Sequence, residues 1–168
     1  MKHKIILVIA ISLAPYLAFA RLGDTPESLV SRMGVTGFDI TNATNSPLAN
    51  TRVMNFQKNG ISLVVTFWNG KSCEESYKKL DGGEFSDTEI QAMLQQNSLG
   101  GVWWDTTAGG AIKNWTWGTK DGLSAPPVMQ AVYAYGNLGM YSMKYRIAED
   151  AAKAAANSAA DRKRVQGF

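Results

Sequence analysis

Two Asn-Gly dipeptides, Asn59-Gly60 and Asn69-Gly70, constrain this chain more than any other feature. They separate three β-prone runs, Arg52–Lys58, Ile61–Trp68 and Lys71–Lys79. Asn and Gly both tolerate the positive φ that a type I′ turn requires, so the stretch predicts a three-stranded antiparallel meander. A two-residue loop at Asn59-Gly60 sets Lys58 opposite Ile61, Phe56 opposite Leu63 and Met54 opposite Val65, with Phe67 extending the same face. The other face carries Asn55, Gln57, Ser62 and Thr66, interrupted by Val53, Val64 and Trp68. One apolar side and one mostly polar side describe a sheet with a single covered face. The third strand is open to two registers. A strict two-residue loop at Asn69-Gly70 puts Cys73 and Tyr77 on the polar side. A three-residue loop with a bulge puts both on the apolar side, and is favoured because Tyr77 then covers core.

Helix signals flank the meander. From Asp24 to Met33, either Asp24 caps with Glu27 at N3, or Thr25 caps with Pro26 at N1. Leu29, Val30 and Met33 form its apolar face, and Gly34 its stop. Residues 35–50 read as a loop or a ragged edge strand. Ser86 and Glu89 form a capping box that opens a helix through about Asn97, with Ile90, Met93 and Leu94 as one stripe. A helix this short is not stable alone, so it must dock on the apolar face of the meander.

The next section is rich in tryptophan. Trp103-Trp104 precede a Gly109-Gly110 turn. Ala111–Trp117 alternates like a strand, with Trp115 and Trp117 on one side. Gly118–Pro127 reads as a loop, Val128–Tyr135 as a strand, Gly136-Asn137 as a turn, and Leu138–Tyr145 as the hairpin partner. Residues 146–168 are rich in alanine and end in the basic cluster Arg162-Lys163-Arg164. They predict an exposed helix that frays toward the C-terminus. No internal repeat is evident. The expectation is an α+β fold with an antiparallel meander sheet, helices packed on one face, a single domain over 21–145, and an alanine-rich exposed C-terminal helix.

The first 20 residues match a secretory signal. Lys2 and Lys4 precede an apolar run over Ile5–Leu13, and Ala18-Phe19-Ala20 fits the small-x-small cleavage pattern. Cleavage is expected between Ala20 and Arg21, and a periplasmic or secreted location follows. Loss of two lysines takes the formal charge from +3 to +1, and the body shows no basic patch of the kind a nucleic-acid partner would need. His3 is the sole histidine and leaves with the signal, which excludes Ser-His-Asp and Cys-His catalysis and histidine metal sites from the mature chain. Cys73 is the sole cysteine, so no internal disulfide can form. Glu74 and Glu75 are adjacent on a strand, point to opposite faces and cannot act as a pair. Asn42-Ala-Thr44 and Asn114-Trp-Thr116 match the glycosylation sequon, a common pattern. No catalytic residue, metal site or cofactor is expected.

The candidate binding residues are aromatic: Trp103, Trp104, Trp115 and Trp117, with Asp105 beside them. Tryptophans stack on ligands, sugars or partner proteins when exposed, and fill cores when not. Two binding readings follow, beside a third of a purely structural envelope protein. One is a non-catalytic protein that binds a protein or envelope component through aromatic surface. The other is a glycan-binding module, with weak hydrolysis by Asp105 or Asp121.

Several segments carry a resemblance. Arg21-Leu-Gly-Asp-Thr-Pro-Glu-Ser-Leu, the two Asn-Gly turns, Leu80-Asp-Gly, Ser86-Asp-x-Glu-Ile-x-x-Leu94 with Asn97, and Trp103 look like those of small secreted bacterial proteins that bring no activity with them. More loosely, an early helix followed by a meander resembles the modules of the β-lactamase inhibitor protein and of the SmpA/OmlA outer-membrane lipoproteins. That resemblance implies a protein-binding module rather than an enzyme. The chain departs from the lipoproteins in lacking a lipidated cysteine, and its tryptophan-rich half has no counterpart in them.

Overall fold

The structure is a computed structural model that describes residues 20–44, 46–123 and 128–166. The signal segment before Ala20, the Ser124–Pro127 part of the expected loop and the last two residues lie outside the described residues.

The Asn-Gly hairpins form as their chemistry requires. Strands β2 (Thr51–Lys58), β3 (Ile61–Trp68) and β4 (Lys71–Lys79) are antiparallel neighbours. Lys58 pairs Ile61, Phe56 pairs Leu63 and Met54 pairs Val65. Both turns have positive φ at Asn and Gly. At Asn69-Gly70 the loop is two residues long, because Trp68 pairs Lys71. The register then shifts between Thr66 and Phe67, which face Glu74 and Ser72 and leave Cys73 as the extra residue of a bulge. The bulge therefore lies inside β4 rather than at the turn. It still puts Tyr77 on the core face, where it is fully buried.

Helix α1 (Pro26–Met33) is capped by Thr25, whose hydroxyl accepts from Ser28 N, with Pro26 at the first position. Asp24 instead accepts a bidentate pair of hydrogen bonds from Arg32, at 2.5 and 2.7 Å. Residues 35–50 supply a two-residue edge strand, β1 (Phe38–Asp39), and a short 3-10 turn over Thr41–Ala43. Helix α2 (Asp87–Gln96) has the full capping box between Ser86 and Glu89, and it buries Ile90, Met93 and Leu94.

The tryptophan-rich half is also sheet. It comprises β5 (Val102–Asp105), β6 (Lys113–Thr119), β7 (Gly122–Leu123), β8 (Met129–Ala134) and β9 (Asn137–Ser142). Helix α3 (Met143–Gln166) follows directly. The expected strand through Tyr145 thus stops at Ser142, and the C-terminal helix begins three residues earlier than its alanine content suggests. Tyr145 and Glu149 are buried in its first turns, while residues from Ala154 to Arg164 are exposed.

All described strands join one antiparallel sheet in the order β1-β2-β3-β4-β9-β8-β6-β5, with β7 attached to β6. This order contains a repeated plan. Helix α1 precedes the meander β1–β4, and α2 precedes the meander β5-β6-β8-β9. The last strands of the two halves, β4 and β9, meet at the centre, with Ser76 opposite Gly139. The helices match position by position. Leu29 and Ile90 each lie four residues after the cap, Met33 and Leu94 eight after it, and all four are buried. The core is a single cluster running through both halves, from Met54, Phe56 and Val65 to Ala131, Leu138 and Met140.

The plan also exposes a departure. The turn between third and fourth strands is Asn69-Gly70 in the first half and Tyr135-Gly136 in the second, with φ of 52° and 76° against 51° and 74°. The turn is one residue earlier than the expected Gly136-Asn137, since Ala134 pairs Asn137. A tyrosine held at positive φ is strained, and Tyr135 is 85% exposed, so no packing offsets the strain. Tyr135→Asn is expected to stabilise the protein by about 1 kcal/mol. Matched urea unfolding curves would check this, and an unchanged midpoint would count against a strained turn.

Candidate functional site

The sheet has two unequal faces, and the strand register defines both. One row runs Met54, Val65, Glu75, Met140, Ala131, Trp115, each opposite the next. This is the helix-covered face, and every member of that row is buried. The neighbouring row on the other face runs Asn55, Val64, Ser76, Gly139, Val132, Asn114. Every member of this second row is half-exposed. A parallel outer row ends in Tyr141, Gln130, Thr116 and Trp104.

This register sorts the tryptophans. Trp103 pairs Trp117, and Asp105 pairs Trp115, so Trp103, Trp115 and Trp117 occupy the core face. Trp115 is 4% exposed and lies inside the core cluster; Trp103 and Trp117 pack against it. The Trp117 indole N–H donates to Ser98 O at 2.5 Å. Gly101 makes room for that ring, since a Cβ there would lie 2.4 Å from Trp117 Cε2 and 2.5 Å from Gly118 O. Trp104 alone among these four faces the outer side, 38% exposed, with its indole N–H donating to Thr119 O at 3.1 Å. Asp105 accepts from Thr107 N at 2.8 Å, and these Thr107 hydrogen bonds hold its carboxyl below the ordinary range. Its geometry is that of a turn residue. Of the residues singled out in the sequence, the structure therefore brings three together in the core and leaves Trp104 on the open face.

The open face has features the sequence did not flag. Gly139 sits in the middle of it. A Cβ at Gly139 would have its nearest neighbour, Val132 O, 3.9 Å away, so neither φ nor packing demands glycine there. Its missing side chain leaves a dip at the centre of the face. Beside it, Asn114, Thr116, Gln130 and Val132 border a shallow cavity of about 250 Å3. Tyr141 OH donates to Gln130 Oε1 at 3.0 Å, and the Arg146 guanidinium lies over the Tyr141 ring at 5.1 Å. Arg146 also pairs with Glu149 at 3.1 Å and with Glu74 at 3.8 Å. Burial raises the Glu74 carboxyl above its usual pKa, and the Arg146 charge opposes that shift. The first turns of α3 thus form one wall of the open face, and Trp104 marks the other end.

The other side of the sheet holds a buried polar cluster. Glu75 is fully buried on the core face. Its Oε2 accepts from Tyr77 OH at 2.7 Å and from Asn97 Nδ2 at 3.2 Å. Asn97 also donates to Ala20 O and accepts from Leu22 N, so this cluster ties the N-terminal arm to the end of α2. Burial pushes the Glu75 carboxyl up to about 7, against the lowering effect of the Tyr77 and Asn97 hydrogen bonds. Enclosed by core, this carboxyl has no access to a substrate and acts on stability. Burial likewise pushes the Cys73 thiol up to about 12, which keeps it unreactive. Among the described residues, no group of three His, Cys, Asp or Glu side chains can hold a metal ion, and no helix is long and apolar enough to cross a membrane. Comparison with protein-family models, curated proteins and solved structures finds no match to this chain.

Proposed function

We propose that this protein is a secreted or periplasmic binding module that takes a protein partner on the open face of its sheet. One observation carries the reading: α1 and α2 pack on one face, while the middle of the other, beside the first turns of α3, stays uncovered across the seam between the two halves. Antiparallel sheets commonly leave one face to solvent, and that face is polar. Here the row from Asn55 to Asn114 contains only small, amide and β-branched side chains. Half-exposed Tyr141 and exposed Trp104 stand beside it, and such residues dominate protein interfaces. The early helix followed by a meander resembles the modules of the β-lactamase inhibitor protein, as an analogy of architecture. The glycan reading loses support, because three of its four tryptophans pack in or against the core.

Gly139→Val and Trp104→Ala test the proposal together. Valine suits a strand and meets open space, so Gly139→Val should melt no lower than the parent. Immobilised protein is expected to retain a specific envelope protein through a high-salt wash. Each variant should reduce that retention at least tenfold. Equal retention by the parent and both variants would remove the open face as the binding surface.

A further inference from the structure

We propose that a cavity at one end of the central seam binds a free single-chain amphiphile with an anionic head, of the medium-chain carboxylate type. The cavity, about 350 Å3, opens where the β3–β4 turn, the start of β8 and the junction of β9 with α3 meet. This is distinct from the open sheet face of the proposed partner site, and the inference stands without that reading.

The lining separates into an apolar interior and a cationic rim. Leu22, Met129 and Tyr145 are buried and form the floor. Trp68 stands over Tyr145, ring centroids 6.1 Å apart at 59°. Leu99 and Val128 flank the opening with 55% and 52% of their surface exposed. Leucine and valine so exposed at a concave site lose the burial that a tail would restore. Leu99 is costly twice over, because its backbone sits at φ 48°, a region leucine enters only against steric resistance. That backbone belongs to the tight turn closed by Gly101 N–H donating to Ser98 O at 2.8 Å, a turn that needs no leucine side chain.

The rim decides the head group. Lys71 and Lys144 border the cavity and are exposed, and among the described residues no Asp or Glu lines it. Among the described residues, neither lysine has a carboxylate partner. Two free ammonium groups above an apolar trough complement a molecule with one apolar tail and one negative end. The volume lies near the lower end of the range for ligand sites, roughly 300–1,000 Å3, which fits one chain and leaves no room for the second chain of a bilayer lipid. The Cys73 thiol also borders the cavity, but its S–H donates to Thr66 O at 3.2 Å, so it adds apolar surface rather than a nucleophile.

The test is calorimetric titration of the purified protein with decanoate, kept below micelle formation, alongside tryptophan fluorescence. The expected result is one saturable site with a fluorescence change that disappears in Trp68→Phe while heat of binding persists. Decyltrimethylammonium, with the same tail and the opposite charge, should bind at least tenfold more weakly. The double variant Lys71→Glu, Lys144→Glu should weaken decanoate at least tenfold; both lysines are exposed, so its folding is not at risk. Absence of saturable binding overturns the proposal. So does equal affinity for the two head groups, indifference to the double charge reversal, or a fluorescence change that survives Trp68→Phe.

Discussion

Replacing Glu75 with glutamine is expected to make the protein more stable above pH 7, by about 3 kcal/mol, and to leave it unchanged near pH 4. A free glutamate carboxyl titrates near 4.5, and burial raises that of Glu75 to about 7 in the folded protein. Below 4.5 it is protonated in both states and costs nothing. Between 4.5 and 7 the folded state holds more protons than the unfolded chain, and stability falls as pH rises. Above 7 the charge is buried and the full cost remains. Glutamine keeps an acceptor for the Tyr77 hydroxyl and the Asn97 amide, and it never ionises. Denaturant unfolding of parent and variant from pH 4 to 8.5 would show curves that coincide in acid and diverge toward neutrality. Parallel curves would mean that Glu75 is solvated or paired with a cation. The acid-side advantage also suits the location of this group: the cluster it joins fastens the N-terminal arm, so the arm is expected to be held most firmly below neutral pH.

Trp115→Ala costs about 3–5 kcal/mol, whereas Trp104→Ala costs less than about 0.5 kcal/mol. The two residues sit on adjacent, paired strands, yet the sheet pleat sends them to opposite faces. Trp115 is 4% exposed among Met129, Ala131 and Met140, and its removal leaves a cavity the size of an indole. Trp104 loses one hydrogen bond, to the Thr119 carbonyl, at the sheet edge. A domain of this size has a total stability of about 5–15 kcal/mol, so the first variant should lose about a fifth of it or more and the second should melt like the parent. Urea midpoints would check both, and similar small losses would place Trp115 at the surface. The contrast makes Trp104 usable in binding experiments and Trp115 unusable.

The local chemistry of this chain is legible residue by residue. Asn59-Gly60 and Asn69-Gly70 determined the turns, the hydrophobic alternation determined the β2–β3 register, and Thr25, Ser86 and Glu89 determined where two helices begin. Each of these signals lies within a few residues of its effect, so the sequence alone suffices. The β5 strand was not legible, because Val102–Asp105 is too short to show a period and exists by pairing with β6. The Tyr135-Gly136 turn was missed for a related reason: tyrosine is a poor residue for that backbone, and the register of β8 against β9 overrides its preference. The faces of the tryptophans, the burial of Glu75, and the bareness of Gly139 depend on which strands meet at the seam between β4 and β9. That meeting joins residues more than 60 positions apart, as Ser76 and Gly139 are. Turn propensity and periodicity carry no information over that distance. The sequence by itself thus determined the two Asn-Gly hairpins, the starts of α1 and α2 and the alternation of the meander strands. The tertiary structure alone decided that two halves share one sheet, that three tryptophans turn inward, and that a cavity and an open face lie along their junction, because burial is a property of the assembled layers.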